Sequence, residues 1–376
     1  MRILGIIQTK NAQVILFFTW FIILNSAIYV WKNDLERSRQ KNLLQQQWID
    51  SKEHAIPRYD LSTGEDTAKY LRFVPDALSQ RLIILSGMSQ MYAINDQKDG
   101  DQTISEWMDD LLKTSGSRVF GLAAPNICNE EVLLLLLAMT KGASSKPDVF
   151  IYGICFDKFR NVDLRPSYKA LLRSEPDLMK KWELLANDYR DKYPKATEKM
   201  RSTLEGLIKE KNEANKSVEA SIRRQLSNIV PIIGARGDLN AWFQIQLYLL
   251  RNKLFKIKPT SKRPQIPSRY QTNKEYLKLF LDEAKKLGVI PIIYIVPLNP
   301  QAENPYIPEE YESFKIWAKA LCEEQHVPFD NLENVIPHED WGEFMGGPDF
   351  KHFRGEGHKR TAEELVRRFR NYLVPN

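Results

Sequence analysis

The run Arg81-Leu82-Ile83-Ile84-Leu85-Ser86-Gly87-Met88-Ser89-Gln90-Met91 decides how the rest of the chain reads. Leu82 to Leu85 is continuously apolar, which suits a strand covered on both faces inside a parallel sheet. Ser86 and Gly87 then turn the chain ahead of an expected helix. Ser89 thereby falls at the carboxyl end of the sheet, where open α/β sheets bind ligands. Two readings of Ser89 stay open. It caps the following helix, or it projects its hydroxyl into a crevice beside helix-terminal amides that stabilise an oxyanion.

Similar runs recur downstream. Ser117 to Leu122, Val149 to Cys155 and Val289 to Val296 read as further strands, and Val327 to Asp330 as a short last one. Helices are expected between them, at Glu130 to Lys141 with its consecutive leucines, Lys274 to Leu287 and Pro308 to Gln325. Strands alternating with helices, without hairpin signals, predict an α/β fold with a doubly wound parallel sheet. No GxGxxG or GxxxxGK[ST] follows any strand, so dinucleotide and P-loop sites lose their main support. No cofactor is expected.

A helical insertion, about 165–269, separates the third and fourth strands. Met200, Leu204 and Ile208, then Ala214, Val218, Ile222 and Leu226, share one helical face. This face reads as a cap or partner surface, or as a solvated hairpin. The apolar stretch Ala241 to Leu250, followed by Arg251, Lys253, Lys256, Lys258, Lys262 and Arg263, reads as a membrane-surface helix or as one packed on the core.

The chain has 376 residues, enough for a substantial core, and a net charge of +6, too weak over this length to imply nucleic acid. Its three cysteines, Cys128, Cys155 and Cys322, argue against a disulfide framework, and no CxxC suggests zinc. Residues 12–31 carry no charge and match the length of a bilayer-spanning helix, with Trp20, Tyr29 and Trp31 toward its ends. An uncleaved signal anchor at 1–31 is therefore expected, with a stalk and lead-in at 32–80 and the main domain at 81–376. Lys32, Arg37, Arg39 and Lys41 after the span do not favour sending that domain out of the cell. The functional reading below places it outside nonetheless.

Near the C-terminus lies Gly347-Pro348-Asp349-Phe350-Lys351-His352-Phe353-Arg354-Gly355-Glu356-Gly357-His358, read as a Gly-rich loop before an amphipathic helix from Arg360 to Tyr372. An Asp three residues before a His can accept a hydrogen bond from one ring nitrogen and leave the other to serve as a base. His352 then activates Ser89, with Asp349 orienting it. His358 is the rival base; its alternative is a solvated first-turn residue. With one well-placed His–carboxylate pair, a metal site has little support.

Ser89 after the first strand and Asp349-x-x-His352 before the last helix together resemble the SGNH (GDSL-like) hydrolase superfamily, over roughly Arg81 to Asn376 apart from the insertion. Gly355 and His358 match its C-terminal block. Met88 stands where the family motif has Asp. Gly121-Leu122-Ala123 replaces the second block, which puts Ala123 in place of the oxyanion glycine. Ile154-Cys155-Phe156-Asp157 replaces the third block after Gly153, so the usual oxyanion asparagine is missing and Asn126 is the substitute considered. With the anchor and insertion, the resemblance is to the DltD-like and alginate-acetylation branches. It implies a flavodoxin-like SGNH fold and a serine esterase or O-acyltransferase outside the cell membrane. Such a protein acts on a cell-envelope polysaccharide, with an acyl donor and a membrane-bound O-acyltransferase as partners. The degraded blocks also allow a catalytically silent binding or scaffold protein.

Overall fold

The computed structural model describes residues 81–124, 126–140, 146–216, 261–344 and 347–375, with isolated helical positions between 19 and 30 and at 247. The chain divides into two compact units, residues 1–48 with 209–258 and residues 49–208 with 259–376. In the first unit, Trp20, Phe21, Ile23 and Val30 are helical and exposed. Thr19, Ser26, Ala27 and Ile28 are helical as well, with Ile28 buried; the other residues of the expected span and the stalk at 32–80 lie outside the described residues, as do nearly all of residues 217–260. Among the described residues no helix is long and apolar enough to cross a membrane.

The second unit is built on five parallel strands, β1 (Arg81–Gly87), β2 (Ser117–Ala123), β3 (Val149–Ile154), β4 (Ile290–Ile295) and β5 (Phe329–Asn331). Their order across the sheet is β2-β1-β3-β4-β5, the flavodoxin-like arrangement. The apolar runs follow from this architecture. Successive strand residues face opposite sides, so a strand covered on both sides is apolar at every position. Leu82 and Ile84 of β1 join one core, and Ile83 and Leu85 the other.

Helix α1 (Ile104–Leu112) and helix α8 (Gly355–Leu373) cover the second core, through Ile104, Met108 and Leu112 and through Leu365, Val366 and Phe369. Helix α1 starts with a reciprocal cap. The Thr103 amide donates to Glu106 Oε2 at 2.5 Å, and the Glu106 amide donates back to Thr103 Oγ1 at 3.4 Å.

The first core is covered by α2 (Asn129–Met139), α6 (Pro267–Lys286) and α7 (Pro308–Glu324), joined by α3 (Pro166–Ser174), α4 (Pro176–Asp188) and the start of α5 (Pro194–Lys216). Helix α2 is buried at every position, because sheet and helices surround it. Helices α3, α4, α6 and α7 begin with Pro at the first turn, where the missing N–H costs no intrahelical bond. Of the face expected along the insertion, Met200 and Leu204 are buried and Ile208 is exposed.

Two expectations need correction. The Gly347–His358 stretch is not a loop: Trp341–Phe344 (β6) and Gly347–Phe353 (β7) form an antiparallel pair apart from the main sheet. The pair is short and shifts register between Trp341 and Glu343, so it carries no regular alternation to announce a hairpin. His358 is not solvated; it is wholly buried, edge-on to Phe353 at 4.7 Å between ring centroids. The cysteines are buried free thiols.

Candidate active site

The first strand delivers Ser89 to the sheet edge. Gly87 leaves room for the Met91 side chain, since a Cβ there would lie 2.7 Å from Met91 Cγ. Instead of a full helix, a single 3-10 turn follows, Ser89–Met91. Met88, where the family resemblance calls for Asp, points into the core and is buried with Cys155 Sγ 3.0 Å from its sulfur. Gln90 is also buried and donates to the Pro297 carbonyl at 2.7 Å, tying this turn to the segment after β4. With its neighbours turned inward, Ser89 stays partly open to solvent.

The β6–β7 pair brings the other two residues to that point. Ser89 Oγ lies 2.8 Å from His352 Nε2, and His352 Nδ1 lies 2.9 Å from Asp349 Oδ2. The consistent proton arrangement has Nδ1–H donating to the carboxylate and Nε2 accepting from the serine hydroxyl. The Ser89 hydroxyl is therefore engaged by a base, and no side chain caps the turn that begins with Ser89.

Asp349 is held by the chain around it. Its Oδ1 accepts the amides of Lys351 at 3.0 Å and His352 at 3.2 Å, which folds the side chain back toward the imidazole. Burial alone would raise the Asp349 carboxyl, but hydrogen bonds from the His352 ring and the two amides outweigh it and hold it below the usual carboxylate value. The carboxylate thus stays ionised, as an orienting group must.

Two asparagines absent from the expected site support this arrangement. Asn95 donates its side-chain amide to the Glu343 carbonyl at 3.1 Å and reaches Asp349 Oδ2 at 3.4 Å, while its backbone amide donates to the Phe353 carbonyl at 2.9 Å. Asn299, buried after β4, donates Nδ2 to the Asp349 carbonyl at 2.9 Å, and its amide donates to the Phe350 carbonyl at 3.0 Å. Neither belongs to a local motif, so only the fold identifies them.

The tentative oxyanion donors are less organised. Ala123 ends β2, paired in register with Gly87, and the next amide, that of Ala124, is spent on the Gly87 carbonyl at 3.2 Å. Asn126 is exposed in a left-handed conformation with φ +49°. Both follow the same sheet edge as Ser89, but no hydrogen bond among the described residues joins either to Ser89 or His352. The Ser89 amide opens a 3-10 turn, a position with no acceptor inside the turn. In the third block, Ile154, Cys155 and Phe156 are all buried, and Asp157 bonds to Arg263 at 2.7 Å. Among the described residues no cluster of His, Cys, Asp or Glu is placed to hold a metal ion.

No protein-family model matches the chain, and no curated protein matches its sequence. Among solved structures it is similar to a GDSL-like lipase from Bacteroides thetaiotaomicron, with a TM-score of 0.37 and 11% identity, over 82% of this chain and 100% of that one. It is also similar to a lipase/acylhydrolase from Enterococcus faecalis, with a TM-score of 0.39 and 12% identity, over 79% and 98% of the two chains. At these values the similarity carries no argument about function.

Proposed function

We propose that the protein is a serine-dependent esterase or O-acyltransferase of the SGNH type, with Ser89 as nucleophile, His352 as general base and Asp349 as the group that orients it. The observation that carries this reading is the continuous chain Ser89 Oγ–His352 Nε2 and His352 Nδ1–Asp349 Oδ2. Ser89 Oγ forms a bond to the ester carbonyl carbon as its proton passes to His352 Nε2, and the carbonyl π electrons move to oxygen. Collapse breaks the bond to the alcohol oxygen, which takes the proton from His352 and leaves an acyl-serine. A second hydroxyl, from water or a sugar, gives its proton to His352 Nε2 as its oxygen bonds to the acyl carbon; collapse then breaks the Ser89 Oγ–acyl bond as His352 returns the proton to Oγ. The Ser89 amide is the first candidate oxyanion donor, with Ala123 and Asn126 next to be tested.

The wider proposal follows the sequence reading. The apolar segment at 12–31 anchors the protein in the cell membrane, and the catalytic unit faces outward. A cell-envelope polysaccharide is the acceptor, and a membrane-bound O-acyltransferase supplies the acyl group. Ser89→Ala in cells, with envelope acylation measured, tests this directly; acylation at the wild-type level removes the enzymatic reading.

A second reading, a catalytically silent scaffold, is favoured by the third block. Apolar Ile154, Cys155 and Phe156 fill the core there, where the family resemblance calls for an asparagine. Labelling of purified protein by a serine-directed probe, lost in Ser89→Ala, decides for the enzyme. No labelling and no hydrolysis of 4-nitrophenyl acetate decides for the scaffold.

A further inference from the structure

Lys351 sits between Phe350 and His352 but plays no part in the hydrogen-bond chain through its side chain. Its ammonium lies 4.0 Å from Asp157 Oδ2, too far for a hydrogen bond. The same oxygen accepts a hydrogen bond from Arg263 at 2.7 Å. One carboxylate therefore faces two cations. Both cations also lie against the Phe350 ring, the Arg263 guanidinium at 5.2 Å and the Lys351 ammonium at 5.4 Å from its centroid.

Among the described residues, the Lys351 ammonium has no hydrogen-bond acceptor. Its side chain is 15% exposed, packed along its length while the ammonium keeps access to solvent. An accessible ammonium whose three donors have no acceptor among the described residues is well met by an oxyanion. Lys158, which follows Asp157, turns away and donates to the Gly153 carbonyl at 2.7 Å over the Tyr152 ring. Lys158 is thus committed elsewhere, and Lys351 is the cation beside Asp157 whose ammonium has no hydrogen-bond acceptor among the described residues.

Its place relative to the serine follows from the sheet. Asp157 lies just past the end of β3, and Ser89 just past the end of β1, and these strands are neighbours. Adjacent strands lie ~5 Å apart. Although they are consecutive in β7, His352 meets Ser89 past the end of β1 and Lys351 meets Asp157 past the end of β3.

We infer that Lys351, backed by the Asp157–Arg263 pair, is a subsite for an anionic group, a carboxylate or a phosphate, carried by the molecule whose ester is presented to Ser89. The inference rests on the serine-ester reading above and names its substrate class: acyl esters of acidic rather than neutral alcohols.

The test separates the two. Binding of benzoate, phenyl phosphate and neutral benzamide to the full-length protein is followed by ligand-observed NMR, which needs no turnover. Wild type should bind an anion about tenfold or more tighter than benzamide. Lys351→Gln should abolish that preference and Lys351→Arg should keep it, while benzamide binding stays constant. Tighter binding of phenyl phosphate assigns a phosphate and tighter binding of benzoate a carboxylate. Equal binding of anion and benzamide by wild type, or an unchanged preference in Lys351→Gln, overturns the subsite. Hydrolysis of phenyl acetate in wild type and Ser89→Ala judges the serine reading separately. No Ser89-dependent hydrolysis with a Lys351-dependent anion preference keeps the subsite and removes the hydrolase.

Discussion

Ser89 Oγ and His352 Nε2 stand 2.8 Å apart although 263 positions separate them in the chain. A nucleophile and base at hydrogen-bond distance act as one unit, so their losses should not add. Ser89→Ala and His352→Ala are each expected to lower kcat/KM for 4-nitrophenyl acetate by about 10,000-fold, and the double variant by no more. A multiplicative double loss would separate the two residues mechanistically.

Asp349→Asn should lower kcat by about 10,000-fold with little change in KM, because an amide no longer fixes the tautomer with Nδ1 protonated. The carboxylate also stabilises the fold through the hydrogen bonds it accepts. Its folded value is depressed below 3.8, so that contribution is complete above 3.8 and is lost as pH falls through the lower, folded value. Urea midpoints of wild type and Asp349→Asn should therefore differ by a constant amount from pH 7 down to about pH 4 and converge only on further acidification. Convergence already at pH 6 would assign the effect to another group.

Asn299→Ala removes the donor to the Asp349 carbonyl and the acceptor of the Gln301 amide. A stability loss of about 1–3 kcal/mol is expected by denaturant titration. Since this contact sets the position of Asp349 and not its charge, kcat should fall with the pH profile unchanged in shape.

Gly342→Ala probes the opposite flank. A Cβ at Gly342 would lie 2.0 Å from Asn95 Cγ, so the Asn95 side chain has to leave its place between Glu343 and Asp349. Activity should fall as it does in Asn95→Ala, and combining the two should add little. Full activity in Gly342→Ala would show that the Asn95 bridge is dispensable.

Two buried groups give stability opposite pH dependences. Burial pushes the Glu130 carboxyl from 4.5 up to about 7, against the nearby Tyr276 hydroxyl and a hydrogen bond from the Asp163 amide. Between those values the folded chain keeps a proton that the unfolded chain loses, so stability falls as pH rises. Glu130→Gln should remove that fall, worth about 3 kcal/mol. Burial lowers the Lys158 ammonium from 10.5 to about 7. There the unfolded chain holds the extra proton, so stability rises with pH between about 7 and 10.5, and Lys158→Met should flatten the rise. Thermal melts from pH 5 to 10 read both slopes.

The runs at Leu82–Leu85, Val149–Ile154 and Ile290–Ile295 made the parallel sheet legible, because a strand covered on both sides is apolar at consecutive positions and these runs are too short for a buried helix such as α2. Asp349-x-x-His352 was legible for a similarly local reason: three positions suffice for a carboxylate to fold back on an imidazole. The β6–β7 pair that carries them was not, since its support comes from distant residues. Asn95 reaches Asp349 across 254 positions and Asn299 across 50. Nor could local pattern show that His358 and Lys158 are buried, or that Lys351 shares Asp157 with Arg263. Short-range physics, the alternation of faces and the reach of one side chain, is written in consecutive residues. Burial of a charge and the partner it meets are set by what the folded chain brings alongside, and those are properties of the tertiary structure alone.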